Sequence, residues 1–173
     1  MTLLQNIPPD KLTPARIWAE IDRDTRQLAA SCLYRPEWDD DGAKAEADAA
    51  IATALRFRPT AVRRLPFDKR VGYLARAVRP TESLAAALLR ALHLTERSAM
   101  LEAFLDEIGI AQTGGVIESE DDLDAPNTAS ILEAAATLRE RYPEADVDLY
   151  LASLLAMDPD FWAGIAELDR PTG

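Results

Sequence analysis

Nine cations crowd into the forty residues from 56 to 95: Arg56, Arg58, Arg63, Arg64, Lys69, Arg70, Arg76, Arg79 and Arg90. Only two acids share that stretch. Eight of the nine cations are arginine, whose planar fork pairs bidentately with carboxylate or phosphate. The rest of the chain has the opposite sign. Residues 96–173 carry 4 cations and 18 acids, residues 1–55 carry 6 and 10, and the whole chain stands at -11. Three fates are open to the basic block. It can pair with acidic helices of its own chain, in surface pairs that are individually weak. It can meet an acidic protein partner or a second copy of the chain, because complementary fields guide association. It can hold nucleic acid or a phosphorylated ligand. The acidic remainder would repel a duplex, and neither a recognition helix nor an aromatic RNA-binding motif accompanies the block, which argues against nucleic acid.

Other residues suggest chemistry but lack its full set. His93 is the sole histidine and the sole candidate general base, with Glu96 three residues on to orient it. A base still needs a nucleophile or a substrate pocket, and the sequence supplies neither. One histidine excludes every site needing two, and one cysteine excludes an internal disulfide and a zinc-finger cage. Cys32 falls on an apolar stripe and reads as a small buried hydrophobe. Glu20 and Asp24 stand one helical turn apart, with Arg23 and Arg26 at hand to neutralise them, so a solvated face is expected. Counted as a calcium loop from Asp122, Asp124 and Glu133 take the third and twelfth positions. Pro126 and Asn127 then occupy positions that need an oxygen ligand and a glycine, and the motif fails. No metal or cofactor is expected. Trp38 lies in the loop-like Tyr34-Arg35-Pro36-Glu37-Trp38-Asp39, where an aromatic beside an arginine suits an interface anchor or a cover over the end of the core.

The elements that must position these residues read as helices. Alanine is abundant and glycine scarce, at 7 residues, which favours an all-α chain. The apolar spacing predicts a first helix from Pro14 to Leu33, with Ile17, Ile21, Leu28 and Cys32 on one stripe. A second runs from Asp41 to Phe57, capped by Asp40 or Asp41. A short turn follows Pro59. Helices then run from Phe67 to Val78 and from Thr81 to Leu94, and a sixth is capped by Thr95 and stopped by Gly109 in the left-handed conformation. Two more span Thr128–Tyr142 and Ala145–Met157, and a short last helix starts at Asp158-Pro159. Residues 109–127 break the pattern. Short β-capable runs flank Thr113-Gly114-Gly115, predicting a small hairpin that leans on the helices, followed by an acidic loop. No tandem repeat is expected, because the two alanine-rich helices lie about a hundred residues apart against roughly 34 in a tetratricopeptide array.

These readings combine into a single all-α domain over 1–173. It has seven to eight helices in one bundle, with the hairpin and acidic loop of 109–127 as an insertion. Neither a signal peptide nor a membrane-spanning run is read, so the cytoplasm is the expected compartment. The expected function is non-enzymatic: a helical protein–protein interaction module, binding a partner protein or itself through Arg63, Arg64, Arg70 and Trp38. The alternative is a small helical enzyme or binding protein that takes an anionic small molecule at the same arginines, with His93 nearby. The alternative requires the arginines to converge on one pocket, whereas an interface spreads them over a face.

Overall fold

The computed structural model describes residues 3–118 and 123–168. Among them the fold is all-α, with one tiny antiparallel hairpin. In chain order the helices are α1 (Leu3–Asn6), α2 (Pro14–Glu20), α3 (Arg23–Leu33), α4 (Asp41–Leu55), α5 (Pro59–Arg63), α6 (Phe67–Ala77), α7 (Glu82–Glu96), α8 (Ser98–Glu107), α9 (Thr128–Arg141) and α10 (Glu144–Met157). Eight of these are seven residues or longer. Short 3-10 turns occupy Pro9–Lys11 and Ala163–Glu167. No described helix is long and apolar enough to cross a membrane. Contacts divide the chain into two compact units, residues 14–96 and residues 1–13 with 97–173.

In the 14–96 unit, α3 packs on α6 and α7, α2 on α7, and α4 on α5, α6 and α7. These helices bury Leu33, Ile51, Leu74, Leu84 and Leu88 completely. The predicted helix from Pro14 to Leu33 is broken. Asp22 stands between α2 and α3, its carboxylate accepting from the Thr25 N–H at 2.8 Å and the Thr25 hydroxyl at 2.7 Å. That cap starts a new helix although the apolar period runs straight through the break. Glu20 and Asp24 therefore sit on different helices. Glu20 pairs with Arg16 at 2.8 Å on the exposed side of α2. Asp40 caps α4 by accepting from the Ala43 N–H at 2.9 Å.

In the other unit, α9 packs on α8, α10 and the Ala163–Glu167 turn, and α1 packs on α10. Phe104 lies edge-on to Tyr150 at 5.6 Å and meets Trp162 at 6.0 Å. Gly109 ends α8 at φ 74°, as expected. The hairpin pairs β1 (Gln112–Thr113) with β2 (Val116–Ile117) through Gly114 and Gly115, both at positive φ, and it leans on α8. A two-residue turn of that hand matches the strand twist. Two helix starts differ from expectation. Thr95 caps nothing, because α7 runs on to Glu96 and Arg97 precedes α8 without a side-chain cap. Arg97 instead reaches Asp146 at 2.5 Å. After Asp158-Pro159 the chain makes a turn, with Asp158 accepting from the Phe161 N–H at 3.0 Å, and only then a 3-10 segment. Asp122 of the acidic loop lies outside the described residues.

Candidate interaction surface

The chain from α4 to α6 is held by its backbone more than by its side chains. A Schellman motif ends α4: the Phe57 N–H returns to the Ala52 carbonyl at 2.9 Å and the Arg56 N–H to Thr53 at 3.4 Å. The motif puts Arg56 in the left-handed region, at φ 55° and ψ 37°. It is the one non-glycine residue at positive φ among the described residues, and glycine would suit the position better. Pro59 opens α5 with its φ already helical, and the Arg58 carbonyl accepts from Ala61 at 2.9 Å and Val62 at 3.3 Å. A helix of five residues does not stand alone, so Val62, fully buried, pegs it to the fold. Pro66 then leads into α6, accepting from Lys69 and Arg70.

From Arg56 to Lys69, Val62 is the only buried residue and Leu65 the only half-buried one. Everything else faces solvent. Arg56, Arg58, Arg63, Arg64 and Lys69 are exposed and form no salt bridge among the described residues. Two large aromatics stand among them, Phe57 at 42% exposure and Phe67 at 45%. The Phe57 ring touches Tyr73 of α6 edge-on at 6.3 Å. Arginine with exposed aromatics is the composition of interface anchors. Sequence reasoning identified the cations and missed both phenylalanines. Each stands at the end of a predicted helix, beside arginine or proline, a placement that does not by itself separate core from surface.

Arg70 belongs to a different environment. Its guanidinium grips Asp48 of α4, with Nη2 donating to Oδ1 at 3.0 Å and Oδ2 at 3.1 Å and Nε to Oδ1 at 3.2 Å. The Tyr34 hydroxyl donates to the same Oδ1 at 2.8 Å, and the Arg70 guanidinium lies over the Tyr34 ring at 4.2 Å. Asp48 and Tyr34 are both buried. Burial, and then the carboxylate it donates to, push the Tyr34 phenol well above its ordinary pKa against the pull of Arg70. Of the basic block, Arg70 alone makes a salt bridge among the described residues, so intrachain pairing with acidic helices does not account for the block. Arg76 folds back onto its own helix, donating to the Gly72 carbonyl at 2.9 Å.

A groove of about 530 Å³ runs along the exposed side of α4 against the α6–α7 junction, lined by Ala49, Ala50, Ala54 and Ala77 and by the buried Val78 and Leu84. At its rim Glu46 accepts from the Thr81 hydroxyl at 2.5 Å and the Ser83 hydroxyl at 3.0 Å. Arg79 lines the groove, and Arg63, Arg64 and Arg70 do not. No family model, curated protein or solved structure matches the chain. The remaining candidates lie apart from the groove lining. His93 is buried in α7, and Glu96 engages Arg35. Cys32 is fully buried. Trp38 is half-buried in the α3–α4 loop, its carbonyl accepting from Lys44, and its indole N–H finds no acceptor among the described residues. No group of three potential metal ligands converges among the described residues.

Proposed function

We propose that this chain is a helical protein–protein interaction module whose contact surface is the segment from Arg56 to Lys69. The observation that carries the reading is the burial pattern: fourteen residues with one buried side chain, five exposed cations without salt bridges among the described residues, and two exposed phenylalanines. A segment that contributes so little to the core still keeps a defined backbone, and at Arg56 it tolerates a left-handed residue. Such a cost fits a surface maintained for contact. The cations select an acidic partner and speed encounter, while the rings supply the area that excludes water. The small-anion alternative needs converging arginines, and Arg63 and Arg64 do not share the groove with Arg79.

The test is fluorescence anisotropy with a labelled peptide of alternating Glu and Leu, against a Lys–Leu control. The wild type binds the acidic peptide, and salt weakens that binding. Arg63→Glu/Arg64→Glu, which leaves the Arg70 network intact, weakens it about tenfold or more. Unchanged binding in that variant overturns the proposal. So does calorimetric binding of inorganic phosphate that the same variant abolishes, if the peptide itself does not bind.

A further inference from the structure

The partner that the described surfaces fit best is carried by the chain itself. On α9 the residues Ala129, Leu132, Glu133, Ala136 and Glu140 are all exposed. Their spacing puts them on one helical stripe, opposite the buried Ile131, Ala134, Ala135 and Leu138. Leu132 is 39% exposed and is the one large apolar side chain of that stripe. Arg139 flanks it half-buried, with Nε and Nη2 withdrawn from solvent, and Glu133 and Glu140 are the fully exposed charges of the stripe. The α4 groove has the complementary form. Its small alanine side chains let a second helix approach closely, the exposed Arg79 lines it, and Arg56 and Arg58 follow directly after α4. Amphipathic helices enter grooves of this kind through anchors at i, i+3, i+4 and i+7, the spacing of Ala129, Leu132, Glu133 and Ala136.

We infer that the α4 groove of one copy receives α9 of a second copy, so that the chain self-associates head to tail. Leu132 seats among the groove's alanines, and Glu133 and Glu140 face the arginines. The inference rests on the interaction-module reading and adds to it a second surface, the groove, which adjoins the Arg56–Lys69 segment through Arg56 and Arg58. On the surfaces themselves the exposed Glu133 and Glu140 meet Arg79, Arg56 and Arg58, which favours this pairing of unlike faces although Glu46 also lines the groove. Because the two surfaces differ, the contact is heterologous, and each copy keeps one free groove and one free α9.

Sedimentation velocity tests this with three proteins. The wild type forms species larger than the monomer as concentration rises, and high salt reverses it. Ala54→Glu fills the groove with bulk and negative charge, and Leu132→Arg spoils the α9 stripe. Both positions are exposed, so circular dichroism should report unchanged folding. Each variant alone weakens association at least about tenfold, the scale of losing an interface anchor. An equimolar mixture of the two retains one intact groove and one intact α9, and so stops at a one-to-one dimer. A wild type that stays monomeric overturns the inference, as does a mixture that stays monomeric or grows beyond the dimer. If the monomer still binds the acidic peptide through Arg63 and Arg64, the module reading survives while self-association is refuted.

Discussion

The Asp48–Arg70–Tyr34 network allows a quantitative test by double-mutant cycle. Asp48→Ala removes three guanidinium hydrogen bonds of 3.0–3.2 Å and the acceptor of the Tyr34 hydroxyl. Breaking a buried pair from one side costs about 3–5 kcal/mol. The Arg70 side chain is 23% exposed and can regain some water, so the loss falls at the lower end, about 3 kcal/mol. Arg70→Met strands the Asp48 carboxylate at 7% exposure and costs about the same. Removing both leaves no stranded charge, so the double variant loses about 3 kcal/mol rather than 6, a coupling of about 3 kcal/mol. Urea unfolding followed by far-ultraviolet circular dichroism reads each loss. With a slope of about 2 kcal/mol/M, either single variant shifts the midpoint by about 1.5 M. If the double variant loses the sum of the singles to within about 0.5 kcal/mol, Asp48 and Arg70 are not one unit and the reasoning fails.

Four further outcomes follow from local geometry. Arg56→Gly relieves the left-handed residue and raises stability by about 0.5–1 kcal/mol in urea unfolding, while weakening acidic-peptide binding. Asp22→Ala costs about 1 kcal/mol at neutral pH. The Thr25 backbone N–H, with the Thr25 hydroxyl, lowers the Asp22 pKa in the folded state. The stabilisation is therefore present above its ordinary value of 3.8 and lost as pH falls through the lowered one, so the gap between wild type and variant closes in acid melts. Tyr34 has its folded pKa raised above 10.0, so its contribution is complete below that value and is lost as pH rises. Spectrophotometric titration should show delayed ionisation of two tyrosines, Tyr34 and the buried Tyr150, and Tyr34→Phe should remove one of the two. Gly164→Ala would place a Cβ 2.7 Å from Ile131 Cδ1 and 3.1 Å from the Thr128 backbone, which lowers the thermal midpoint by an overpacking cost of about 1–3 kcal/mol.

Helix type and most boundaries were legible because they depend on neighbours in sequence. Asp40, Gly109 and the Gly114-Gly115 turn act within a few residues, and each acts as expected. The break at Asp22 was hidden because Ile17, Ile21, Leu28 and Cys32 keep helical phase across it. A cap outweighed an unbroken period there. The α1 helix, at four residues, is too short to carry a period at all. Arg63 and Arg70 are indistinguishable as sequence. Only Asp48, 22 residues earlier on another helix, draws one inward and leaves the other exposed. Phe57 and Phe67 were hidden for the converse reason. Phe57 between two arginines and Phe67 after Pro66 read equally well as core or as surface until their neighbours in space are known.

The two units are written into the chain differently. Residues 14–96 are continuous, whereas the other unit joins residues 1–13 to 97–173. The Leu3 N–H reaches the Asp148 carboxylate, at 2.5 Å, across 145 residues of sequence. On a ribosome that adds about 5–20 residues per second, α1 waits on the order of ten seconds for α10 to be made. The continuous unit has all its helices in hand well before then. The segment from Arg56 to Lys69 thus stands on a unit that is continuous in sequence, while α1 waits for a partner 145 residues further on.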